Sequence, residues 1–235
     1  WGQKYEPISI KFYEDLYSTK IEDFGCIKHK TYEFIGASPD GINICKNNPR
    51  YGRMLEIKNV VSRKITGIPK FEYWIQMQIQ METCNLNECD FLETKFIEYE
   101  NEEEFMKDGS FVWSADKKLK GHMILFSNNG QYHYEYAPLY ISEDKYLDWE
   151  QTILKKNENM EWIQNIYWKL ERYSNILVLR NKLWFACVIP EIKKFWDIII
   201  AERISGYEHR APNKKRKTSS STILVQKCQI DTSIL

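Results

Sequence analysis

The segment Ala37-Ser38-Pro39-Asp40-Gly41, followed along the chain by Leu55-Glu56-Ile57-Lys58, decides how this sequence folds. Asp40-Gly41 is a tight-turn dipeptide, and the residues after it are typical of a short strand. In Glu56-Ile57-Lys58 the two-residue period of a strand places Glu56 and Lys58 on the same face. An adjacent strand can bring Asp40 beside them. The pattern therefore predicts two carboxylates and one ammonium in a small volume.

A carboxylate pair of this kind needs a cation. Two carboxylates close together repel each other, and burying them costs heavily unless a positive charge neutralises them. Mg²⁺ takes oxygen ligands at about 2.0–2.1 Å and keeps waters and substrate phosphates in its shell. A metal there acidifies bound water and polarises a phosphate, and Lys58 can orient the attacking water or steady the phosphorus centre. The pattern favours metal-dependent phosphodiester hydrolysis.

The segments around this pattern predict a mixed α/β core with helices packed on a central sheet. Helical spacing of apolar residues runs through residues 2–17 and 69–84. Residues 101–108 are acidic and are interpreted as a surface connection. Strands are predicted at residues 25–38 (two short strands), 42–45, 53–61 and 89–99, with a hairpin at 123–126 and 132–136.

The remaining residues are predicted to be helical. Ser142 is a candidate N-cap, Pro190 fits the first position of a last helix, and Gly206 fits its end. We expect one domain at residues 1–206, with a core at 1–140 and a helical C-terminal part at 141–206. Residues 207–235 are predicted to be a disordered basic and polar tail.

The tail contains the basic run Lys214-Lys215-Arg216-Lys217. It is interpreted as a nuclear localisation signal, and the alternatives are a nonspecific DNA-binding arm or a solvated segment. The formal net charge of the chain is zero, so net charge gives no support to nucleic-acid binding. A local basic patch is compatible with this balance, since carboxylates gathered around a metal offset basic residues elsewhere.

The cysteines and histidines show no metal-site spacing. No paired CxxC, HxH or HExxH pattern occurs among the six cysteines and four histidines, so free thiols in a reducing, intracellular compartment are expected. No run reaches the length of a membrane span, and no signal peptide opens the chain. The cysteines are Cys26, Cys45, Cys84, Cys89, Cys187 and Cys228, and the histidines are His29, His122, His133 and His209.

The spacing from Pro39-Asp40 to Glu56-Ile57-Lys58 resembles the PD-(D/E)XK nuclease signature. Within that superfamily the chain is similar to the lambda exonuclease and YqaJ-type viral recombinase family. Residues 1–6 resemble the family's first core helix, residues 37–41 its fuller aspartate motif, and residues 73–78 its glutamine-bearing helix. The resemblance is good over about residues 1–100 and looser up to Phe195-Trp196.

The resemblance implies a restriction-endonuclease-like core in which Asp40 and Glu56 bind the metal, with the carbonyl of Ile57 as a further ligand. It makes Lys58 the catalytic lysine and Glu6 an auxiliary metal-binding carboxylate. One or two Mg²⁺ ions, or Mn²⁺, are the implied cofactor.

The resemblance also makes Gln76 a site-orienting amide. Gln78 and Gln80 are interpreted as ordinary polar positions of the same helix. In the family, a stretch before the first core helix carries an Arg and a Ser that bind phosphate near the DNA end. This sequence begins after that point, so we expect that something upstream was removed or not included.

The activity that the resemblance implies is 5′-to-3′ digestion of duplex DNA ends in viral or phage-type recombination, in the cytoplasm or nucleus of a host cell. Its implied partners are double-stranded DNA ends, a single-strand annealing protein and further copies of the chain in a ring. Three alternatives stay open: an endonuclease with the same core, a degenerate nuclease fold that only binds DNA or protein, and an RNA nuclease.

Overall fold

The computed structural model describes residues 1–211. Helices and strands are interspersed along this part of the chain. The helices are α1 (Gly2–Leu16), α2 (Phe71–Cys84), α3 (Glu102–Lys107), α4 (Glu143–Lys156), α5 (Lys182–Ser205) and a 3-10 helix at Glu208–Arg210. The strands are β1 (Ile21–Glu22), β2 (Ile27–Lys28), β3 (Gly36–Ala37), β4 (Gly41–Asn43), β5 (Met54–Asn59), β6 (Glu88–Glu98), β7 (Lys120–Asn128), β8 (Gln131–Tyr136) and β9 (Glu161–Leu179).

A seven-stranded sheet organises the fold, with strand order β1-β4-β5-β6-β9-β7-β8. Strands β5 and β6 are parallel, because α2 connects them by a crossover, and the other neighbouring pairs are antiparallel. Strands β2 and β3 form a separate two-stranded sheet. The predicted mixed α/β fold with helices on a central sheet is confirmed.

The two faces of β5 pack against different helices. Leu55 and Ile57 belong to a buried cluster with Tyr13 of α1. Met54 belongs to another cluster with Met77 of α2. Since side chains alternate along a strand, every second residue of β5 faces α2. Glu56 and Lys58 follow Met54 on that face, as the sequence pattern predicts.

The expectation that residues 141–206 are helical is wrong for Glu161–Leu179, which forms β9. Apolar residues at 163, 166, 167 and 170 have helical spacing, which misled the sequence interpretation. However, β9 pairs with β6 on one side and with β7 on the other. Ile166, Tyr167 and Trp168 are consecutive and all buried, because this part of the central strand is covered on both faces.

Two further predictions need correction. The segment interpreted as an acidic surface connection contains α3, whose N-cap Asn101 accepts a hydrogen bond from the N–H of Glu104 at 2.9 Å. Pro190 lies inside α5 and does not start it. The start is marked by Asn181, whose side chain accepts a hydrogen bond from the N–H of Trp184 at 2.9 Å. Gly206 follows the helix with a φ of +92°, as predicted for a terminator.

The chain divides into two compact units, Trp1–Glu191 and Ile192–Leu235. The first contains both sheets. In the second, the described residues form the end of α5 and the 3-10 helix at Glu208–Arg210, where the sequence predicted disorder from residue 207. The basic run at 214–217 lies outside the described residues. Within residues 1–211, no helix combines the length and the apolar character that crossing a membrane requires.

Candidate active site

Asp40 stands immediately before β4, in the turn that follows β3. The next residue, Gly41, pairs with Leu55 of β5, so Asp40 is brought to the side of the central part of that strand. Its Oδ2 accepts a hydrogen bond from the backbone N–H of Ile57 at 2.6 Å. Glycine is required beside it, because a Cβ at Gly41 would clash with the side chain of Ile21 and lie 3.3 Å from the carbonyl oxygen of Glu22.

Glu56 is fully buried, at 0% exposure, and its carboxylate has donors on both oxygens. Oε1 forms an ion pair with Nζ of Lys58 and accepts a hydrogen bond from Nε2 of Gln76 at 2.8 Å. Oε2 accepts a hydrogen bond from Nε2 of Gln80 at 2.9 Å. A buried carboxylate is tolerated only when it is paired and hydrogen-bonded, and these three groups meet that requirement.

The three glutamines of α2 point in two different directions. Gln76, which the resemblance singled out, reaches Glu56, and so does Gln80 one helical turn later. Sequence reasoning missed Gln80, although its spacing of four residues from Gln76 is a usable signal. Gln78 is buried elsewhere: it donates to the carbonyl of Leu179 at 3.0 Å and accepts from the N–H of Asn181 at 2.6 Å.

Lys58 is the member of this cluster that reaches the solvent. Its side chain is 24% exposed, whereas that of Glu56 is 1% exposed. Its ammonium also lies 5.3 Å from the ring centroid of Tyr73 on α2. The carboxylate and the aromatic face together hold Nζ at the surface of a cavity, within reach of a molecule that enters it.

Three carboxylates, those of Glu6, Asp40 and Glu56, interact with one another and with the ammonium of Lys58. Burial, followed by the charge of Glu56, raises the pKa of Asp40 to about 7, against the lowering effect of the Ile57 hydrogen bond. Burial and then the charge of Glu56 also raise the pKa of Glu6, while Lys58 lowers it. Asp40 and Glu6 are therefore harder to ionise, because each is partly buried and lies near the charge of Glu56.

These groups surround an open cavity of about 610 Å³. Among the lining residues, Glu6 and Gln3 come from α1, Asp40 from the turn before β4, and Lys58 from β5. The complete lining is Gly2, Gln3, Glu6, Asp40, Ile57, Lys58, Asn59, Val60, Val61, Ser62, Arg63, Lys70 and Tyr73. The cavity brings negative groups and three cations into contact with one solvent space.

The donor set fits a hard divalent cation. Asp40, Glu56 and the carbonyl of Ile57 offer only oxygen atoms, which Mg²⁺ prefers, and Glu6 lines the same cavity. Within residues 1–211, no group of three or more Asp, Glu, His or Cys side chains is arranged to hold a metal ion by itself. A partial shell agrees with Mg²⁺, which usually binds through one or two carboxylates and retains waters. The pKa values of Asp40 and Glu6 are both raised by burial and by the charge of Glu56, and a cation at this site would relieve that repulsion.

The remaining candidates lie away from this cavity. His29 and His122 are buried, and His133 and His209 are exposed. The thiols of Cys26, Cys45, Cys84, Cys89 and Cys187 are free, as predicted, and Cys228 lies outside the described residues.

Residues 1–87 match the family model of the YqaJ-like viral recombinase domain. The match covers α1, the aspartate turn, β5 and α2, and it confirms the family resemblance for this part of the chain. An uncharacterized protein of Acanthamoeba polyphaga mimivirus is 30% identical over 241 residues, which cover 86% of this chain. The chain spans 43% of the length of that relative.

Two solved structures are also similar to the chain. One is LHK-Exo in complex with dAMP, with 18% identity and a TM-score of 0.47, covering 89% of this chain and 72% of the other. The second is an alkaline exonuclease, LHK-Exo from Laribacter hongkongensis, with 21% identity and a TM-score of 0.34, covering 66% of this chain and 63% of the other.

Proposed function

We propose that this chain is a metal-dependent DNA nuclease whose site consists of Asp40, Glu56 and Lys58. The observation that carries the proposal is that Asp40, from a turn, and Lys58, from β5, line one cavity, while the buried Glu56 is ion-paired with Lys58 behind it. Three neighbouring carboxylates, of which only Glu56 has an ammonium paired with it, favour a divalent cation. A cation together with an ammonium is suited to a phosphodiester, whose charge increases during hydrolysis.

The residues of the site have different proposed roles in hydrolysis. A divalent cation held by Asp40, Glu56 and the carbonyl of Ile57 would polarise the phosphodiester and supply an acidified water. Lys58 donates hydrogen bonds to phosphate oxygens as they gain negative charge. Gln76 and Gln80 hold Glu56 in one orientation through its two oxygens. We propose Mg²⁺ as the cation, with Mn²⁺ as a substitute and one or two ions bound.

The proposed substrate is the end of a DNA duplex, digested from 5′ to 3′ during viral or phage-type recombination. The match of residues 1–87 to the YqaJ-like viral recombinase domain supports this role. Arg63 and Lys70, which line the cavity, supply positive charge that a DNA backbone can approach.

Digestion of end-labelled linear duplex DNA and covalently closed circular DNA tests the proposal. Both substrates are incubated with Mg²⁺ and with EDTA, and Lys58→Ala is the variant. We expect loss of the linear substrate alone, dependent on the metal and on Lys58. Release of label from 5′-labelled DNA before 3′-labelled DNA would establish the polarity.

An endonuclease is the second candidate, since the open cavity does not by itself require a DNA end. It predicts nicking or linearisation of the closed circle at a rate similar to cleavage of the linear substrate. Cleavage of neither DNA, with binding to both, would contradict the catalytic proposal and favour a nuclease fold that only binds. Faster cleavage of an RNA substrate would contradict the DNA assignment.

We further propose intracellular action, with Lys214-Lys215-Arg216-Lys217 as a nuclear localisation signal. Deletion of residues 212–220 in a host cell should abolish nuclear accumulation, and an unchanged distribution would contradict the assignment. Assembly of several copies around DNA and action with a single-strand annealing protein are proposed from the family resemblance. Light scattering with and without duplex DNA tests the assembly.

A further inference from the structure

A second cavity, of about 410 Å³, lies beside the candidate active site. Arg63 lines both cavities, and the other cations that line the second one come from four separate segments. We call the second cavity the basic groove, and its cations are Arg63, Lys64, Lys95, Lys118 and Arg172. Its lining includes one carboxylate, that of Glu171, so the groove carries a marked excess of positive charge.

The register of the sheet explains how this charge is concentrated. Lys95 of β6 pairs directly with Arg172 of β9. Like charges directly opposite each other on antiparallel strands destabilise a sheet. Lys58 of the active site pairs with Glu93, which stands two residues before Lys95 and faces the same side of the sheet. The row of side chains therefore leads from the active site to the groove.

Most of these cations form no ion pair within residues 1–211. Arg63 forms an ion pair with Glu93, which is 1% exposed. Across residues 1–211, none of the ion pairs involves Lys64, Lys95, Lys118 or Arg172. A concave, unneutralised group of cations attracts a polyanion.

Aromatic rings continue the groove. A neighbouring cavity of about 430 Å³ shares Lys118, Glu171 and Arg172 with it, and is also lined by Trp113 and Tyr173. Trp113 is 46% exposed and Tyr173 is 45% exposed. Cations that follow a backbone, beside exposed rings on which bases stack, are the combination that proteins use to bind single-stranded nucleic acid.

We propose that the basic groove and the ring of Trp113 bind single-stranded DNA next to the cleaved bond. The assignment rests on the proposed nuclease function, because that function brings DNA to the neighbouring cavity. Lys95 and Arg172 contact phosphates, and Trp113 stacks on a base. Binding of this kind is independent of sequence and decreases with salt.

The test is the anisotropy of a labelled oligothymidine, titrated with protein in EDTA over a range of salt concentrations. Lys95→Gln/Arg172→Gln is compared with the wild type and with Lys145→Gln/Lys155→Gln, which removes the same charge from exposed positions of α4. For two lost phosphate contacts, the slope of log K against log salt should become shallower by about 1.4, whereas the control keeps its slope. Trp113→Ala should weaken binding about tenfold at an unchanged slope.

A thermal melt shows that the groove variant is folded. Its melting temperature should rise, because the repulsion between Lys95 and Arg172 is gone. An unchanged salt slope, or the same loss in the control, would overturn the proposal, as would a loss confined to duplex DNA. Because EDTA prevents cleavage, the binding assay tests the groove without depending on the nuclease activity. A chain that binds through the groove but cuts no DNA contradicts the nuclease assignment alone.

Discussion

Two clusters of buried charge lie on neighbouring strands and differ in how their charges balance. On the α1 side, Asp90 of β6 accepts a hydrogen bond from Tyr13 at 2.5 Å and forms ion pairs with Arg50 and Arg53. On the α2 side, Glu56 has one ammonium, that of Lys58, beside the further carboxylates of Asp40 and Glu6.

Under the proposed function, the difference separates a structural charge cluster from a catalytic one. Around Asp90, the guanidinium groups of Arg50 and Arg53 are matched by two carboxylates, because Arg53 also pairs with Glu88, so the cluster needs no ion from solution. Around Glu56, the cation is outnumbered, and the cavity admits a further ion. We infer that a buried cluster with unbalanced charge and an open cavity is the one that performs chemistry.

The largest expected effect is on stability, in the balanced cluster. Asp90→Asn leaves Arg50 and Arg53 without their shared carboxylate, so the free energy of unfolding should fall by about 3–5 kcal/mol. Urea denaturation measures it. Glu88→Gln is the matched control, because Glu88 pairs with the same Arg53 but its side chain is 43% exposed. Its loss should stay below about 1 kcal/mol. Equal losses would contradict the structural role of Asp90.

The next effect is on catalysis, in the unbalanced cluster. Lys58→Ala should lower the rate of DNA cleavage by about 10²–10³-fold, because the ammonium that stabilises transition-state charge is lost. Single-turnover cleavage with excess enzyme measures this rate. Lys107→Ala, which removes an exposed lysine paired with Glu103, should leave the rate unchanged. Full activity of Lys58→Ala would remove this residue from the mechanism.

A smaller effect is expected from replacing glutamines of α2, and it differs between Gln80 and Gln78. Gln80→Ala removes a donor to the charged Glu56, which should cost about 1.5–3 kcal/mol of stability and lower the cleavage rate per folded molecule. Gln78→Ala removes buried hydrogen bonds to Leu179 and Asn181 instead. It should reduce stability without changing that rate. Parallel loss of activity in both variants would mean that α2 acts only through folding.

The smallest effect is the pH dependence of stability. Because the pKa of Asp40 is raised to about 7 in the folded state, its contribution to stability is fully present below the unfolded pKa and is lost as pH rises through 7. Without metal, Asp40→Asn should be more stable than the wild type above that pH, by about 1–3 kcal/mol. The difference should vanish in acid. Urea denaturation in EDTA across this range measures it, and a constant difference would contradict the shift.

The sequence predicts the centre of the site because the relevant interactions are local. The period of β5 alone puts Glu56 and Lys58 on one face, and Asp40-Gly41 marks the turn beside them. The raised pKa of Asp40 could not be predicted in the same way. It depends on the burial of the carboxylate and on its approach to Glu56, which only the paired strands produce.

The failures come from contacts between distant segments. Glu161–Leu179 has apolar residues at helical spacing, and its strand conformation results from pairing with β6 and β7. The role of Gln80 depends on how α2 lies on the sheet. The pairing of Lys95 with Arg172 joins residues far apart in the sequence, so no local pattern reveals the basic groove.

Cation binding tests the central claim most directly, namely that the unbalanced cluster holds a divalent metal. Isothermal titration calorimetry with Mn²⁺ is carried out on the wild type, on Asp40→Asn and on the matched control Glu88→Gln. We predict binding to the wild type and to the control, with affinity that increases as pH rises through 7, and loss of that binding in Asp40→Asn. Equal binding by all three proteins, or none by the wild type, would contradict the account.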